Sequence, residues 1–338
     1  MKVRFSSRTT FLLLAVILLL LIPCLRFGIF AFSSAGDGKN VQLFDFEQGS
    51  SLTRIARELE EKRIVSSAGM FVLYSRMKGA EAKVKAGYYQ FNDGLLPGEI
   101  LRKMVAGEVY TRKVTVPEGY SIFQVGELLE SQGTFRKKVF LELCRSKTLL
   151  QDLGIAASSV EGYLYPCTYN VSTKTDEAGL IRMMVEQSDR IYEEKFAARA
   201  SSTGLDRHRI LTLASMVDKE AVSPAERPLI ASVFLNRLKR GMPLQSDPTA
   251  VYGIRAFAGN VSKNDIMRRT PYNTYLIKGL PPGPIGNPSR EAVEAVLAPA
   301  RTEYLYFVAK KDGTHAFTST LEQHNQAVRR YLKGGNGR

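Results

Sequence analysis

The chain has no tryptophan, and only three cysteines and three histidines in 338 residues. Cys24 falls in an apolar run, which leaves Cys144 and Cys167 either as one pair in an oxidising compartment or as two small buried hydrophobes; a disulfide framework is excluded. His208, His315 and His324 are scattered and no Cys/His spacing suits a metal, so no metal site and no cofactor are expected. Acidic residues are also scarce, 33 Asp and Glu against 47 Lys and Arg, for a formal net charge of +14. That balance suits polyanionic surroundings (nucleic acid, anionic lipid or an acidic polymer) or a merely solvated basic surface. With no basic helix interleaved with aromatics, no zinc-finger spacing and no RNA-binding signature, no nucleic-acid partner is expected.

What is present begins at the N-terminus. Lys2, Arg4 and Arg8 precede an apolar run over 11–25, which resumes after Arg26 through Phe32. At about 22 residues it is long enough to cross a bilayer, with Arg26 near one end where it can snorkel to the headgroups. The expectation is a cytoplasmic tail at 1–10, a transmembrane helix at 11–32, and everything after about residue 33 outside. A cleaved signal peptide with Ser33-Ser34-Ala35 as its small-residue site is the alternative. The proline before Cys24 argues against a lipoprotein site.

After a Ser/Gly-rich linker at 33–40, residues 41–46 alternate like a strand and lead through Gly49-Ser50-Ser51 into a helix with Leu52, Ile55, Ala56 and Leu59 on one face. Val114-Thr115-Val116, the turn 117–121 and Ile122, Val125, Leu128 and Leu129 repeat that strand–turn–helix pattern loosely. The unit resembles the LysM-like fold that binds peptidoglycan; two similar spacer units is the competing reading. Between the copies, 86–91 reads as a strand and 97–105 as a helix stopped by Gly107. Residues 135–153 read as a basic helical stretch, 161–169 as an aromatic strand or loop that could stack on sugars or pack a core, and 176–199 as an amphipathic helix.

A helix ending near Glu220 carries Ile210, Leu213, Ala214 and Val217 on one stripe. At about 100° per residue Glu220 projects close to Leu213, at the edge of that stripe. A carboxyl there is partly desolvated, and desolvation raises its pKa toward the range of a general acid. Asp218 is placed on the opposite flank and Lys219 toward solvent. Ser223-Pro224-Ala225-Glu226 reads as a capping box, giving Glu226 a structural task, and the helix it opens, with Ile230, Val233, Phe234 and Leu238 inward, ends at Lys239-Arg240-Gly241. Gln245, Ser246 and Asp247 place an amide, a hydroxyl and a carboxylate in consecutive positions, useful for a polar ligand and equally normal in a tight turn. A second polar region, with Tyr272 and Asn273, adjoins the Pro/Gly-rich stretch 279–286, stiff enough for a site wall. Ser289 caps a helix through Leu297, 304–317 reads as a hairpin, and Thr320 to Gln323 is a capping box opening the last helix.

The motifs at 214–220, 234–238, 241–249, 272–275, 279–285 and 304–309, in that order, resemble the YceG-like family of murein transglycosylases. The resemblance implies an α+β protein: a transmembrane helix, a LysM-like αβ region at 41–155 and a mixed α+β catalytic domain at 156–333. It further implies an inner-membrane enzyme, single-pass with a periplasmic catalytic domain. Such an enzyme cuts nascent peptidoglycan between N-acetylmuramic acid and N-acetylglucosamine, leaves a 1,6-anhydro end and terminates the strand. Its partners would be glycan strands and the membrane, with peptidoglycan synthases as candidates. The family's catalytic glutamate falls on Glu220. Two departures stand out: Asp218 replaces a glutamate, and Cys167 replaces an aspartate in the aromatic motif.

Most glycosidases need two carboxylates. A lytic transglycosylase works with one, because the substrate's N-acetyl group stabilises the anomeric centre and its own C6 hydroxyl takes the place of water. On this reading Glu220 protonates the glycosidic oxygen and then accepts the C6 hydroxyl proton, while Gln245, Ser246, Asp247, Tyr272 and Asn273 hold sugar and N-acetyl groups. The rivals are a hydrolytic muramidase with Asp247 as second carboxylate and a non-catalytic peptidoglycan-binding scaffold.

Overall fold

The computed structural model describes residues 7–256, 260–310 and 312–333, with side chains described at Leu19 and from Leu21 onward, as far as Leu332. Contacts divide the chain into two compact units, one reaching to Arg112 and including Ser172–Lys174, the other holding the rest from Lys113. The two units have separate hydrophobic cores. The division by contacts falls at 112/113, within the stretch 41–155. The reason lies in the second strand–turn–helix copy: Val114, Val116, Ile122, Val125 and Leu129 all pack into the core of the second unit, so the two copies of the repeat serve different cores.

The first unit contains α1 (Ser7–Phe32), β1 (Val41–Phe46), α2 (Leu52–Glu61), α3 (Ala68–Met77), β2 (Gly87–Asn92) and α4 (Pro97–Ala106). β1 and β2 pair antiparallel, with Phe44 opposite Tyr89. The alternation read from 41–46 buries Phe44 and Phe46 and turns Leu43 and Asp45 outward. Ser51 caps α2 by accepting from the Arg54 N–H, and Gly107, at φ 77°, ends α4 in the left-handed conformation that glycine adopts without a Cβ penalty. Phe30, near the end of α1, is buried in this core, and Phe27 packs 6.4 Å from Tyr74. Among the described residues no helix is long and apolar enough to cross a membrane. The expected span at 11–32 coincides with most of α1, although the side chains at 11–18 and 20 lie outside the described ones, and the expected tail at 1–10 falls mostly on residues outside the described ones.

β3 (Thr111–Thr115) runs through the 112/113 division, and the chain continues with α5 (Ile122–Ser131), α6 (Lys137–Leu143), α7 (Lys147–Asp152), β4 (Thr168–Ser172), α8 (Glu177–Lys195) and α9 (Ala197–Ala200). It continues with α10 (Arg207–Glu220), α11 (Arg227–Lys239), α12 (Asp247–Val251), α13 (Lys263–Met267), α14 (Arg290–Leu297), β5 (Tyr306–Ala309), β6 (His315–Thr318) and α15 (Leu321–Val328). α10 is the central helix, in contact with α11, α12 and α14. β5 and β6 form the hairpin expected from the sequence, and Thr320 with Gln323 forms the expected capping box. The basic stretch 135–153 is two helices, because the chain turns at 144–146 and Ser146 caps α7 anew. Cys144 and Cys167 are both free.

The Ser223–Glu226 box does not form. Residues 224–226 make a single 3₁₀ turn without a side-chain cap, and α11 begins at Arg227. Glu226 is buried instead against β6, where its carboxylate accepts from the His315 N–H at 2.8 Å and meets the ring Nδ1 at 2.8 Å. Its role is still structural, but it ties the hairpin to α11 instead of capping a helix.

Candidate active site

α10 starts at Asp206, which accepts from the Arg209 N–H, and buries every residue from Ile210 to Val217. It ends at Glu220, where the buried face runs out and exposure becomes intermediate. The Glu220 carboxylate accepts from the Ser246 hydroxyl at 2.6 Å, with the backbone of Asp247 close by. Burial is the main cause of a pKa pushed up to about 7; the Ser246 bond opposes it, the Asp247 charge adds to it, and the Asp247 backbone opposes it. A carboxyl with that affinity holds and returns a proton near neutrality, as a general acid must.

The loop that brings Ser246 to Glu220 is fastened from below by Arg237 of α11. Its buried guanidinium donates to the carbonyls of Leu244 at 2.9 Å, Pro243 at 3.1 Å and Leu305 at 2.6 Å, and to Gln245 Oε1 at 3.2 Å. Gln245 sits at φ 52°, a left-handed conformation that a non-glycine side chain pays strain to adopt. Thr274 holds the other side: its carbonyl accepts from the Gln245 N–H and its hydroxyl from the Ser246 N–H. Thr249 and Thr274 close this clasp, hydroxyl to hydroxyl, at 2.8 Å.

The residues expected to bind sugar are placed differently from one another. Gln245 is exposed beside the acid and Ser246 bonds it directly. Asp247 spends one carboxylate oxygen on the Tyr275 hydroxyl at 2.6 Å. Tyr272 is half-buried against Tyr252, ring centres 4.5 Å apart. Asn273 is fully buried, and its amide donates to the carbonyls of Asp265, Ile266 and Arg268. With its donors so committed, Asn273 shapes the turn that carries Tyr272.

Sequence reading missed the group behind Tyr252. Glu161, from the aromatic motif, is 1 % exposed. It accepts from the Tyr252 hydroxyl at 2.7 Å, the Ile122 N–H at 3.1 Å and the Asn287 amide at 3.3 Å. Burial pushes its pKa up to about 7 against the pull of the Tyr252 and Ile122 donors and of the Lys219 and Arg145 charges. Asn287 is the hub: its oxygen accepts from the Gly162 and Leu164 N–H groups and its amide also donates to the Tyr120 carbonyl. The signal available was a Glu-Gly pair opening an aromatic run, with Gly162 at φ 85° and no room for a Cβ beside Pro284. That close approach ties the motif to the Pro/Gly-rich stretch, which α10 also holds through Ser215, whose hydroxyl accepts from the Ile285 N–H.

Lys219 is another correction. It does not point to solvent; it is half-buried, donates to Gln124 Oε1 at 3.3 Å, and its ammonium pKa is lowered by burial. A lysine one position before Glu220 lies about 100° around the helix, which here faces α5. Asp218 is a brace: it pairs with Arg227 at 3.1 Å and accepts from both the N–H and the hydroxyl of Ser289.

A model of the YceG-like family matches residues 44–330. The endolytic murein transglycosylase of Bacillus subtilis is 34% identical over 316 residues, spanning 89% of this chain and 87% of the relative. That of Streptococcus pneumoniae is 30% identical over 317 residues, covering 84% of this chain and 57% of its own length. A crystal structure of a yceG-like protein from Listeria monocytogenes superposes with a TM-score of 0.59 at 31% identity, covering 86% of this chain and 99% of that one. Similarity over so much of the chain, in both sequence and fold, establishes that it belongs to the YceG-like family.

Proposed function

We propose that this protein is an endolytic murein lytic transglycosylase that cleaves the N-acetylmuramic acid–N-acetylglucosamine bond of peptidoglycan strands. The observation that carries the reading is Glu220, a carboxyl at the end of a buried helix with a pKa near 7 and a pre-set hydroxyl donor in Ser246. Protonated, it delivers its proton to the glycosidic oxygen as the bond breaks. Ionised, it then takes the proton of the muramic C6 hydroxyl as that oxygen closes on C1, forming the 1,6-anhydro ring. Proton count and bond count balance without water. The names of the relatives from Bacillus and Streptococcus support this substrate and reaction.

Asp247 bears on the choice between a lyase and a hydrolase. Its carboxylate is held by Tyr275, and its charge acts on Glu220 to raise that pKa. It therefore serves as a charged neighbour that keeps the Glu220 proton in place, a different task from activating a water on the opposite face of the sugar. Gln245, Ser246 and Tyr272 are the groups proposed to meet sugar and N-acetyl oxygens. The apolar run at 11–32, flanked by Lys2, Arg4 and Arg8, supports a single-pass inner-membrane anchor with the catalytic unit in the periplasm. The LysM-like resemblance of the strand–turn–helix units supports a hold on the wall, and a cut in newly made strands at the membrane surface would place the protein beside peptidoglycan synthases. Mass spectrometry of fragments released from purified glycan strands tests the reaction: anhydro ends, lighter by one water than reducing ends, are expected, and reducing ends would make the protein a muramidase.

A further inference from the structure

We propose that the cavity flanking α12 on the side of Lys219 is a subsite for a carboxylate of the short peptide borne by muramic acid. This rests on the glycan-cleaving reading and extends it to the part of the substrate that is not sugar. The cavity is lined by Phe123, Gln124, Lys137, Lys219, Tyr252 and Arg255, among others. Two of its cations are already matched: Lys137 pairs with Glu127 at 3.1 Å and Arg255 with Asp265 at 2.9 Å. Lys219 differs. Its recorded hydrogen bond goes to a neutral amide oxygen, that of Gln124.

Glu161 and Asp218 act on Lys219 through space, each holding its charge up against burial. The carboxylate of Asp218 is taken by Arg227 and Ser289, and that of Glu161 by Ile122, Tyr252 and Asn287. An ammonium half out of water keeps N–H groups for an anion, and a charge-assisted bond there is stronger than one to an amide. The rings of Phe123 and Tyr252, edge to face at 5.9 Å, supply an apolar wall for the aliphatic part of a peptide. α12 sets the reach. Ser246, the residue that precedes it, bonds Glu220, and the far end of the helix turns Val251 and Tyr252 to the cavity. Five helical residues span about 7 Å. A muramic residue whose C1 is presented to Glu220 can therefore lay its lactyl-linked peptide toward Lys219.

The experiment compares glycan strands with peptides intact against strands stripped of them by an amidase, using the full chain. The wild type is expected to cleave peptide-bearing strands with a kcat/KM about tenfold higher, the worth of one charge-assisted bond. Lys219→Met is expected to bring that ratio near unity and Lys219→Arg to restore part of it. Gln124→Glu gives a second handle that keeps the capping box with Ser121: a carboxylate at that position should occupy Lys219 and lower the ratio likewise. A wild-type ratio of one, or a ratio that survives both Lys219→Met and Gln124→Glu, overturns the proposal. Calorimetry separates it from the catalytic reading. A muramyl peptide with free carboxylates should bind Glu220→Gln protein about tenfold more tightly than the same peptide amidated, and equal affinities count against the subsite whether or not any strand is cut.

Discussion

At the scale of the residue, the pKa near 7 of Glu220 makes two measurable statements. As the acid it must be protonated, so kcat/KM is expected to fall about tenfold per pH unit above 7. Ser246 donates to the ionised form and so lowers the pKa; Ser246→Ala should move that alkaline limb upward, and a limb that stays put would show that another group titrates. Stability follows the same proton. The ordinary value for a glutamate is 4.5 and the folded one about 7, so between them the native state binds a proton that the unfolded chain has released. The contribution is fully present below about 4.5 and lost as pH rises through 7, and Glu161 acts in the same direction. Glu220→Gln should therefore lose about 2–3 kcal/mol less stability than the wild type between pH 5 and pH 8 in denaturant titrations. At Glu161 a glutamine replaces one acceptor oxygen by an amide facing N–H and O–H donors, and Glu161→Gln should cost about 1–3 kcal/mol.

At the scale of the element, the site depends on how α10, α11 and the loop into α12 are clasped. Arg237→Met keeps bulk but strands the buried carbonyls of Leu244 and Leu305. A loss of at least about 3 kcal/mol is expected by denaturant unfolding, with a fall in activity as Ser246 loses its support. Much of this architecture was legible in the chain: the α10 stripe, the Gly107 stop, the Thr320 cap and the 304–317 hairpin each rest on contacts a few residues apart. What escaped was long-range. Glu226 satisfied a capping pattern, yet its better partner, His315, lies 89 positions away. Lys219 read as solvent-facing because helix phase alone says nothing of α5 packing beside it. Glu161 and Asn287 meet across 126 positions, and no local periodicity announces such a pair.

At the scale of the whole molecule, two separate cores mean that the chemistry belongs to one unit. Glu220, Ser246, Asp247, Arg237 and Glu161 all lie beyond Lys113. A chain beginning at Lys113 is therefore expected to unfold cooperatively and to release anhydro-ended fragments from soluble strands, and aggregation or loss of cooperative unfolding would show that the first unit is needed for the fold of the second. The same cut removes the apolar run at 11–32, so the fragment should leave the membrane fraction that the full chain is expected to occupy.

The most direct measurement is mass spectrometry of purified glycan strands incubated with the full chain and with Glu220→Gln. The wild type is predicted to release fragments ending in 1,6-anhydromuramic acid and the variant to release them roughly 10²–10⁴-fold more slowly, the contribution of a positioned general acid. Anhydro ends released by Glu220→Gln at the wild-type rate would contradict the assignment of Glu220.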